Sequence, residues 1–387
     1  MQFFGLFQHT MYLNQTEIDP GADVTEPLDN QSQNLPVVPT TSFPGGGLPF
    51  EIVDETALSL ARRLELISQH GNFSLAYSTA VQPELQYFGN NEGYIAYRTK
   101  YGYVFALADP VAAKELRAPL VDAFIKRFSK PSFCHISTNT ADILAARKFR
   151  LNEMGFDTRL DLASYSFSGK EKERFRYAAN WLARHGYRIE ELNYQQIRDG
   201  ASQSLAREVE ELTQHWRGTR TLNEESAFLN RPIVYDDEVD VRKFFLIDPE
   251  GRLAALLFFD PIYDEGQLVG YVTSFKRRLP AAPKIAEQGI SKLAIERFAE
   301  EGRQLVKLGL APLAELEDRQ YRCNRIMHFS FGLAFKSRLI NRYFYNLQGH
   351  ADFKSRYRGE KEKIYYASPV YVNDLRLVAM LRLTKVI

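Results

Sequence analysis

From about Leu48 onward, apolar positions recur with regular periods. Ala57, Leu60, Leu64 and Ile67 fall at helical spacing and predict a helix over Val53–Gln69. Short apolar runs then predict strands at Phe73–Tyr77, Leu85–Phe88, Gly93–Thr99 and Tyr103–Leu107. A helix over Ala112–Phe128, a strand at Ser132–Ile136 and a helix over Thr140–Phe149 follow. Met154-Gly-Phe-Asp157 and Arg159–Phe167 read as closing strands. Strands first and helices alternating with strands afterwards describe a mixed α/β sheet.

The same order begins again near Tyr165. Ser168 and Glu171 have the spacing of a capping box, and the following helix places Phe175, Ala178, Ala179 and Leu182 on one face before stopping at Gly186. A strand at Tyr187–Leu192, a helix over Leu205–Trp216 and strands at Arg242–Asp248, Leu253–Asp260 and Gln267–Phe275 come next. Asp248-Pro-Glu-Gly251 predicts a turn, with proline fixing φ and glycine taking the positive-φ position. Ile290, Leu293, Ala294 and Phe298 predict a helix closed by Gly302. A strand at Leu305–Leu310 and a helix over Phe329–Tyr345 complete the pattern. The chain therefore divides into residues 1–48, a tail rich in Pro, Asn, Gln, Thr, Asp and Gly; residues 49–164, a first α/β domain; and residues 165–387, a second domain of the same element order.

Hydrophobic residues at 45% and charged residues at 25% make the bulk globular. A net charge of +1 rules out a molecule that binds polyanions over its whole surface. Cys134 and Cys323 stand far apart without ligand-like neighbours and predict free thiols in a reducing compartment; no metal or cofactor signature accompanies them. No apolar run reaches the roughly 18 residues of a spanning helix, and the start lacks a signal-peptide pattern, so the expected location is cytoplasmic.

Charge is unevenly distributed. Lys276-Arg277-Arg278 is a cationic triplet at the end of a strand, and guanidinium groups suit phosphates or carboxylates. Ten basic residues lie between 321 and 363, namely Arg322, Arg325, Lys336, Arg338, Arg342, Lys354, Arg356, Arg358, Lys361 and Lys363. Only Asp352, Glu360 and Glu362 oppose them. Tyr343, Phe344, Tyr345, Tyr357 and Tyr365 are interleaved. Cations with aromatic faces suit a single-stranded tRNA end, and equally suit anionic lipid headgroups.

Antiparallel strands leading through a helix to one further strand are the order of the GNAT acyltransferase fold, here in tandem. Six segments sharpen the likeness: Gly93-Tyr-Ile-Ala-Tyr-Arg98 with Ala106-Leu-Ala-Asp-Pro-Val111, Lys170–Gly186, His215-Trp216, Asp248-Pro-Glu-Gly-Arg-Leu-Ala-Ala255, Glu301-Gly through Leu308-Gly-Leu-Ala-Pro-Leu313, and Phe353-Lys-Ser-Arg-Tyr357 through Ile364-Tyr-Tyr-Ala367. In this order they resemble the synthase domain of bacterial phosphatidylglycerol lysyltransferases. The resemblance implies an aminoacyl-tRNA donor, a lipid or small hydroxylated acceptor, and contact with the inner face of the membrane. It places Arg277 and Lys354 at catalytic positions, with Ser274, Lys276, Arg278, Trp216 and Arg356 around the substrate. Where the family has an acidic residue, this chain has Ser274, which implies a different amino-acid preference. Strict strand alternation sets Ser274 and Arg277 on opposite faces unless a bulge intervenes.

Two rival functions are a CoA-dependent acyltransferase acting on a small amine and a non-catalytic binding module. Against the first, the stretch Arg277-Arg-Leu-Pro-Ala-Ala-Pro283 stands where a CoA enzyme of this fold has a glycine-containing amide cradle. Pro280 and Pro283 have no amide hydrogen to give, and no glycine occurs before Gly289. Glu287, Glu315, Glu317 and His328 lie near the matching segments, but none is singled out as a general base.

Overall fold

The computed structural model describes residues 49–199, 203–218, 228–369 and 374–384; residues 1–48, including the predicted tail, lie outside this range. In chain order the first half comprises β1 (Glu51–Val53), α1 (Leu60–His70), α2 (Ala76–Val81), β2 (Gln86–Asn90), β3 (Gly93–Lys100), β4 (Tyr103–Ala112), α3 (Lys114–Phe128), β5 (Ser132–Ile136), α4 (Thr138–Ala146) and β6 (Arg150–Asp161). The second comprises α5 (Glu173–Arg184), β7 (Arg188–Glu191), α6 (Tyr194–Asp199), α7 (Gln203–Gly218), β8 (Arg242–Ile247), β9 (Leu253–Asp264), β10 (Gln267–Arg278), α8 (Ala286–Glu300), β11 (Leu305–Pro312), α9 (Arg325–Lys336), α10 (Leu347–Ser355), β12 (Glu360–Ser368) and α11 (Asp374–Leu383).

Each half opens with four strands paired antiparallel in sequence order, β1 to β4 and β7 to β10. A helix then crosses to a parallel neighbour, α3 to β5 and α8 to β11. This is the tandem GNAT-like architecture expected from the element order. The final strands are exchanged. β6 pairs with β11 of the second half, β12 pairs with β5 of the first, and β6 and β12 pair with each other. The result is one sheet of twelve described strands in the order β1-β2-β3-β4-β5-β12-β6-β11-β10-β9-β8-β7. The division expected at 164/165 separates the two successions in chain order, and the sheet is continuous across it.

Helices cover both faces. On the second half α5 and α8 bury Phe175, Leu182, Ile290 and Phe298 against Phe244, Leu257, Phe259 and Tyr271. The opposite face packs Leu205, Val209 and Leu212 of α7 on Phe245, Phe258 and Phe275. Burial from both sides explains why β9 reads as an unbroken apolar run. On the first half, α3 and α4 cover β2 to β5 through Leu120, Phe124 and Leu144. None of the described helices is long and apolar enough to cross a membrane. Cys134 and Cys323 are free thiols, the first buried and the second half-buried.

Several elements differ from the pattern. The helix expected from Val53 starts only at Leu60, because Asp54 ties down the amides of Thr56 and Ala57, and Ser59 Oγ caps the helix by accepting from Arg62 N at 3.2 Å. Phe73–Tyr77 is a turn entering α2, whose residues 76–80 are all buried; a helix covered on every side has no amphipathic period to show. β6 ends at Asp161, and Leu162–Phe167 leaves the sheet through a turn closed by Tyr165 N on Asp161 O. The Ser168–Glu171 box does not form: Ser168 Oγ bonds Ser166 Oγ, and a 3-10 turn at Lys170–Lys172 precedes α5. The helix expected at Phe329–Tyr345 begins earlier, under an Asn324 cap, and breaks at Ser337, whose backbone is extended. The turn after β8 is as expected, with Gly251 at φ +85° and Asp248 Oδ1 accepting from the amides of Glu250 and Arg252.

Phe298 stacks on Tyr271 at 4.2 Å and meets Phe259 edge-on at 5.1 Å. Phe298→Ala is expected to cost about 3–5 kcal/mol in urea unfolding. Truncation after Gly359, which removes β12, is expected to unfold both halves together. A first half that stays protease-resistant and folded by circular dichroism after this truncation contradicts the exchanged topology.

Candidate active site

β10 and β11 lie side by side only over Gly270–Val272 and Leu305–Lys307. Beyond this point each strand carries an irregularity. On β10 the register against β9 passes from Thr273↔Phe259 to Lys276↔Leu257, so Ser274 and Phe275 share one partner residue. On β11 the register against β6 passes from Lys307↔Arg159 to Leu310↔Asp157, with Gly309 at φ +74°, a conformation that glycine adopts without strain. Thr273 Oγ1 donates to Leu308 O at 2.8 Å across the last direct link. The strands then part, leaving main-chain carbonyls of β11 without a strand partner on that side.

Lys354, near the end of α10, fills this need. Its Nζ donates to Gly309 O at 2.7 Å and to Leu310 O. The side chain is 5% exposed. Burial, reinforced by the charge of Lys276 and partly offset by Asp157 and Glu287, pushes its pKa down to about 7. Two N–H bonds are committed to carbonyls. The third position of the nitrogen carries a proton or a lone pair depending on pH.

The bulge resets the alternation of β10, meeting the condition under which Ser274 and Arg277 line one face. Lys276, opposite Leu257, joins the Lys354 side: its Nζ pairs with Glu287 at 2.7 Å and lies 5.1 Å from the Phe353 ring centroid. Arg277, opposite Leu256, turns to the other face. It is buried, and its guanidinium stacks on Trp216 of α7 at 3.6 Å from the centroid. Ser274 Oγ is buried at the bulge without a hydrogen-bond partner among the described residues. Arg278 donates to Leu279 O and Ala282 O at 3.1 and 2.6 Å, bracing the loop that follows β10. Arg356 is exposed just beyond α10. The structure therefore brings together Arg277 with Trp216, and Lys354 with Lys276 and Glu287, on the two sides of β10. The other acidic and imidazole candidates are engaged elsewhere: Glu315 with Lys361, Glu317 with Lys363, and His328 with Asp318.

Two features beside the gap were not legible in the sequence. One is a buried ion network. Arg231, 4% exposed, forks onto Asp260 at 2.7 and 2.9 Å and reaches Glu238 at 2.6 Å; Lys243 pairs with Glu238 at 3.4 Å. The Arg231 guanidinium also lies 4.9 Å from the ring centroid of the bulge residue Phe275. Asp260, at the end of an apolar strand run, was the one available hint. The other is Asp157 of β6, fully buried, which accepts from Ser74 Oγ of the first half and whose charge reaches Lys354.

The family described as phosphatidylglycerol lysyltransferase, C-terminal, matches residues 64–368, which takes in both halves and the exchanged strands. The chain belongs to this family. Two solved structures share its fold. The C-terminal DUF2156 domain from Agrobacterium fabrum, named for a lysylphosphatidylglycerol synthetase, has a TM-score of 0.68 at 17% identity, covering 85% of this chain and 98% of that one. L-PGS from Bacillus licheniformis has a TM-score of 0.67 at 18% identity, covering 86% and 98%. Among curated proteins, an uncharacterised protein of Corynebacterium glutamicum is 22% identical over 231 residues. That match spans 58% of this chain and 28% of the Corynebacterium protein.

The buried lysine has a measurable signature. Its pKa is about 7 in the folded protein and near 10.5 once exposed, so between these values the unfolded chain binds more protons. Folded stability relative to Lys354→Met is therefore expected to rise as pH increases from 7 toward 10, and to be constant below 7. Parallel pH dependence of the two proteins in urea unfolding would refute a depressed lysine.

Proposed function

We propose that this protein is an aminoacyltransferase that moves an amino acid from aminoacyl-tRNA to a hydroxyl of a lipid or small acceptor. Membership of the lysyltransferase family supports acyl transfer to a lipid in general. The observation that carries the choice of donor is the cationic, amide-poor mouth of the β10/β11 gap. In the loop that follows β10, Pro280 and Pro283 have no N–H, Leu279 N is held by Ala254 O, and Ala282 N by Leu279 O. Such a loop has little to offer a pyrophosphate. Lys276, Arg277 and Lys354 offer fixed positive charge instead, which suits the phosphates and ester of a tRNA terminus.

The reaction is transesterification. The acceptor oxygen attacks the aminoacyl carbonyl, the tRNA ribose oxygen leaves, and the acceptor proton passes to that oxygen. The donor ester is already activated, so the protein's task is positioning and charge stabilisation. With two N–H bonds fixed on Gly309 O and Leu310 O, protonated Lys354 directs its third toward the developing oxyanion. Arg277, held flat by Trp216, binds a phosphate or carboxylate from the other side of the bulge. Ser274 leaves that part of the pocket neutral, which suits an amino acid other than one selected by a carboxylate. A donor made in the cytoplasm places the protein there.

Purified protein incubated with labelled aminoacyl-tRNAs and host lipids and metabolites is expected to yield an alkali-labile ester whose formation is abolished when the donor is treated with ribonuclease beforehand. Lys354→Met is expected to lower the rate about 10²–10³-fold. Once corrected for spontaneous ester hydrolysis, the rate should fall as pH rises through the Lys354 pKa. A rate that rises through that pKa overturns the oxyanion role in favour of a basic amine. Thermal protection by CoA, with no product from any aminoacyl-tRNA, overturns the donor.

A further inference from the structure

Helix α9 is apolar on two opposite sides. Met327, Phe331 and Phe335 face inward onto the buried clusters around Met154, Ile364 and Ala311. Ile326, Phe329 and Leu333, spaced three and four residues apart, form a second stripe toward solvent, at 79%, 70% and 43% exposure. Leu339, beyond the helix end, is also exposed, at 49%. Single exposed apolar residues are ordinary on a protein surface, whereas a continuous stripe marks a contact surface.

The surrounding charge is of one sign. From Arg319 to Ala351 the sequence holds Arg319, Arg322, Arg325, Lys336, Arg338 and Arg342 and no acidic residue. At the start of α9 an open cavity of about 610 Å³ is lined by Arg150, Arg322, Cys323, Asn324, Arg325 and Ile326. Its three arginines have no carboxylate partner among the described residues. Ile326 belongs to both features, so the guanidinium-lined cavity and the apolar stripe are continuous. A nucleic acid would use the arginines but gain nothing from Ile326, Leu333 or Leu339, which have no ring on which a base can stack. An anionic bilayer uses both: its phosphates meet the arginines, and its acyl boundary takes the aliphatic side chains.

We infer that α9 and the arginine-lined cavity at its start dock this protein on an anionic phospholipid surface. The helix packs beside α10, which carries Lys354, so docking brings headgroup hydroxyls to the side of the protein that holds the gap. This deepens the transferase assignment and rests on it for its purpose. Vesicle binding is read without turnover, so either idea can fail alone.

The test is co-sedimentation of the full chain with phosphatidylcholine vesicles, with and without phosphatidylglycerol. Binding is expected only to the anionic vesicles and to weaken with salt. Phe329→Ser with Leu333→Ser should weaken it by at least about tenfold while leaving the melting temperature unchanged. Each of Arg322→Gln and Arg325→Gln should weaken it about fivefold. In the transfer assay, Phe329→Ser should lower turnover of vesicle lipid and spare a water-soluble acceptor. Equal binding to neutral and anionic vesicles, or binding indifferent to the serine substitutions, overturns the inference. So does a dimer that dissociates on Phe329→Ser, or an RNA complex lost on that substitution, in a protein that ignores vesicles.

Discussion

The pairing of β6 with β12 is the constraint from which the remaining architecture follows. Nine register pairs run from Glu360↔Arg159 to Ser368↔Arg150, so each half lends its last strand to the other. β11 is thereby anchored by β6, a strand of the first half, and needs only a short parallel contact with β10. That arrangement lets β10 and β11 part after Thr273. The first half also reaches the gap chemically: Ser74 fixes Asp157 on β6, and the Asp157 charge helps a buried lysine keep its proton.

Opposing forces set the character of that lysine. Burial and the neighbouring Lys276 favour the neutral amine; Asp157 and Glu287 favour the ammonium. Arg277 has no comparable freedom, because a guanidinium stays charged throughout the working range, and stacking on Trp216 fixes its plane. One side of β10 thus holds an adjustable cation and the other a permanent one. Negative charge brought close to Lys354 favours the ammonium.

Much of this was legible from residue order, and the exceptions have physical causes. The two successions of strands, crossover helix and strand were visible because strands buried on both faces read as short apolar runs, and the Lys276–Arg278 triplet declared itself by charge. The segment 353–367 was legible only as a basic motif, although it contains the end of α10 and all but the last residue of β12. Lys361 and Lys363 alternate with Glu360 and Glu362 on a strand whose outer part is polar on both sides, so no apolar period marks it. α2 was mistaken for a strand because total burial erases the helical period. The bulge at Ser274 and the partners of Lys354 are tertiary facts: spacing shows which residues stand near one another in the chain, and nothing in it shows where two strands separate. Arg231 and Asp260 meet across 29 positions, and neither has a sequence neighbour that announces the other.

The exchanged strands have a last consequence. Each half stands to the other as one protomer stands to its mate in a swapped homodimer, with a peptide linker in place of a second chain. A dimer of identical chains must carry two identical gaps, whereas a covalently joined pair is released from that symmetry. In the first half, Asp109 on β4 is spent holding the Ser137 amide at 2.9 Å, and burial favours the uncharged form of His135 at the end of β5. In the second, the corresponding opening holds a lysine and a stacked arginine. Divergence between sister lobes, one opening closed by hydrogen bonds and the other lined with cations, is what fusion makes available to this fold.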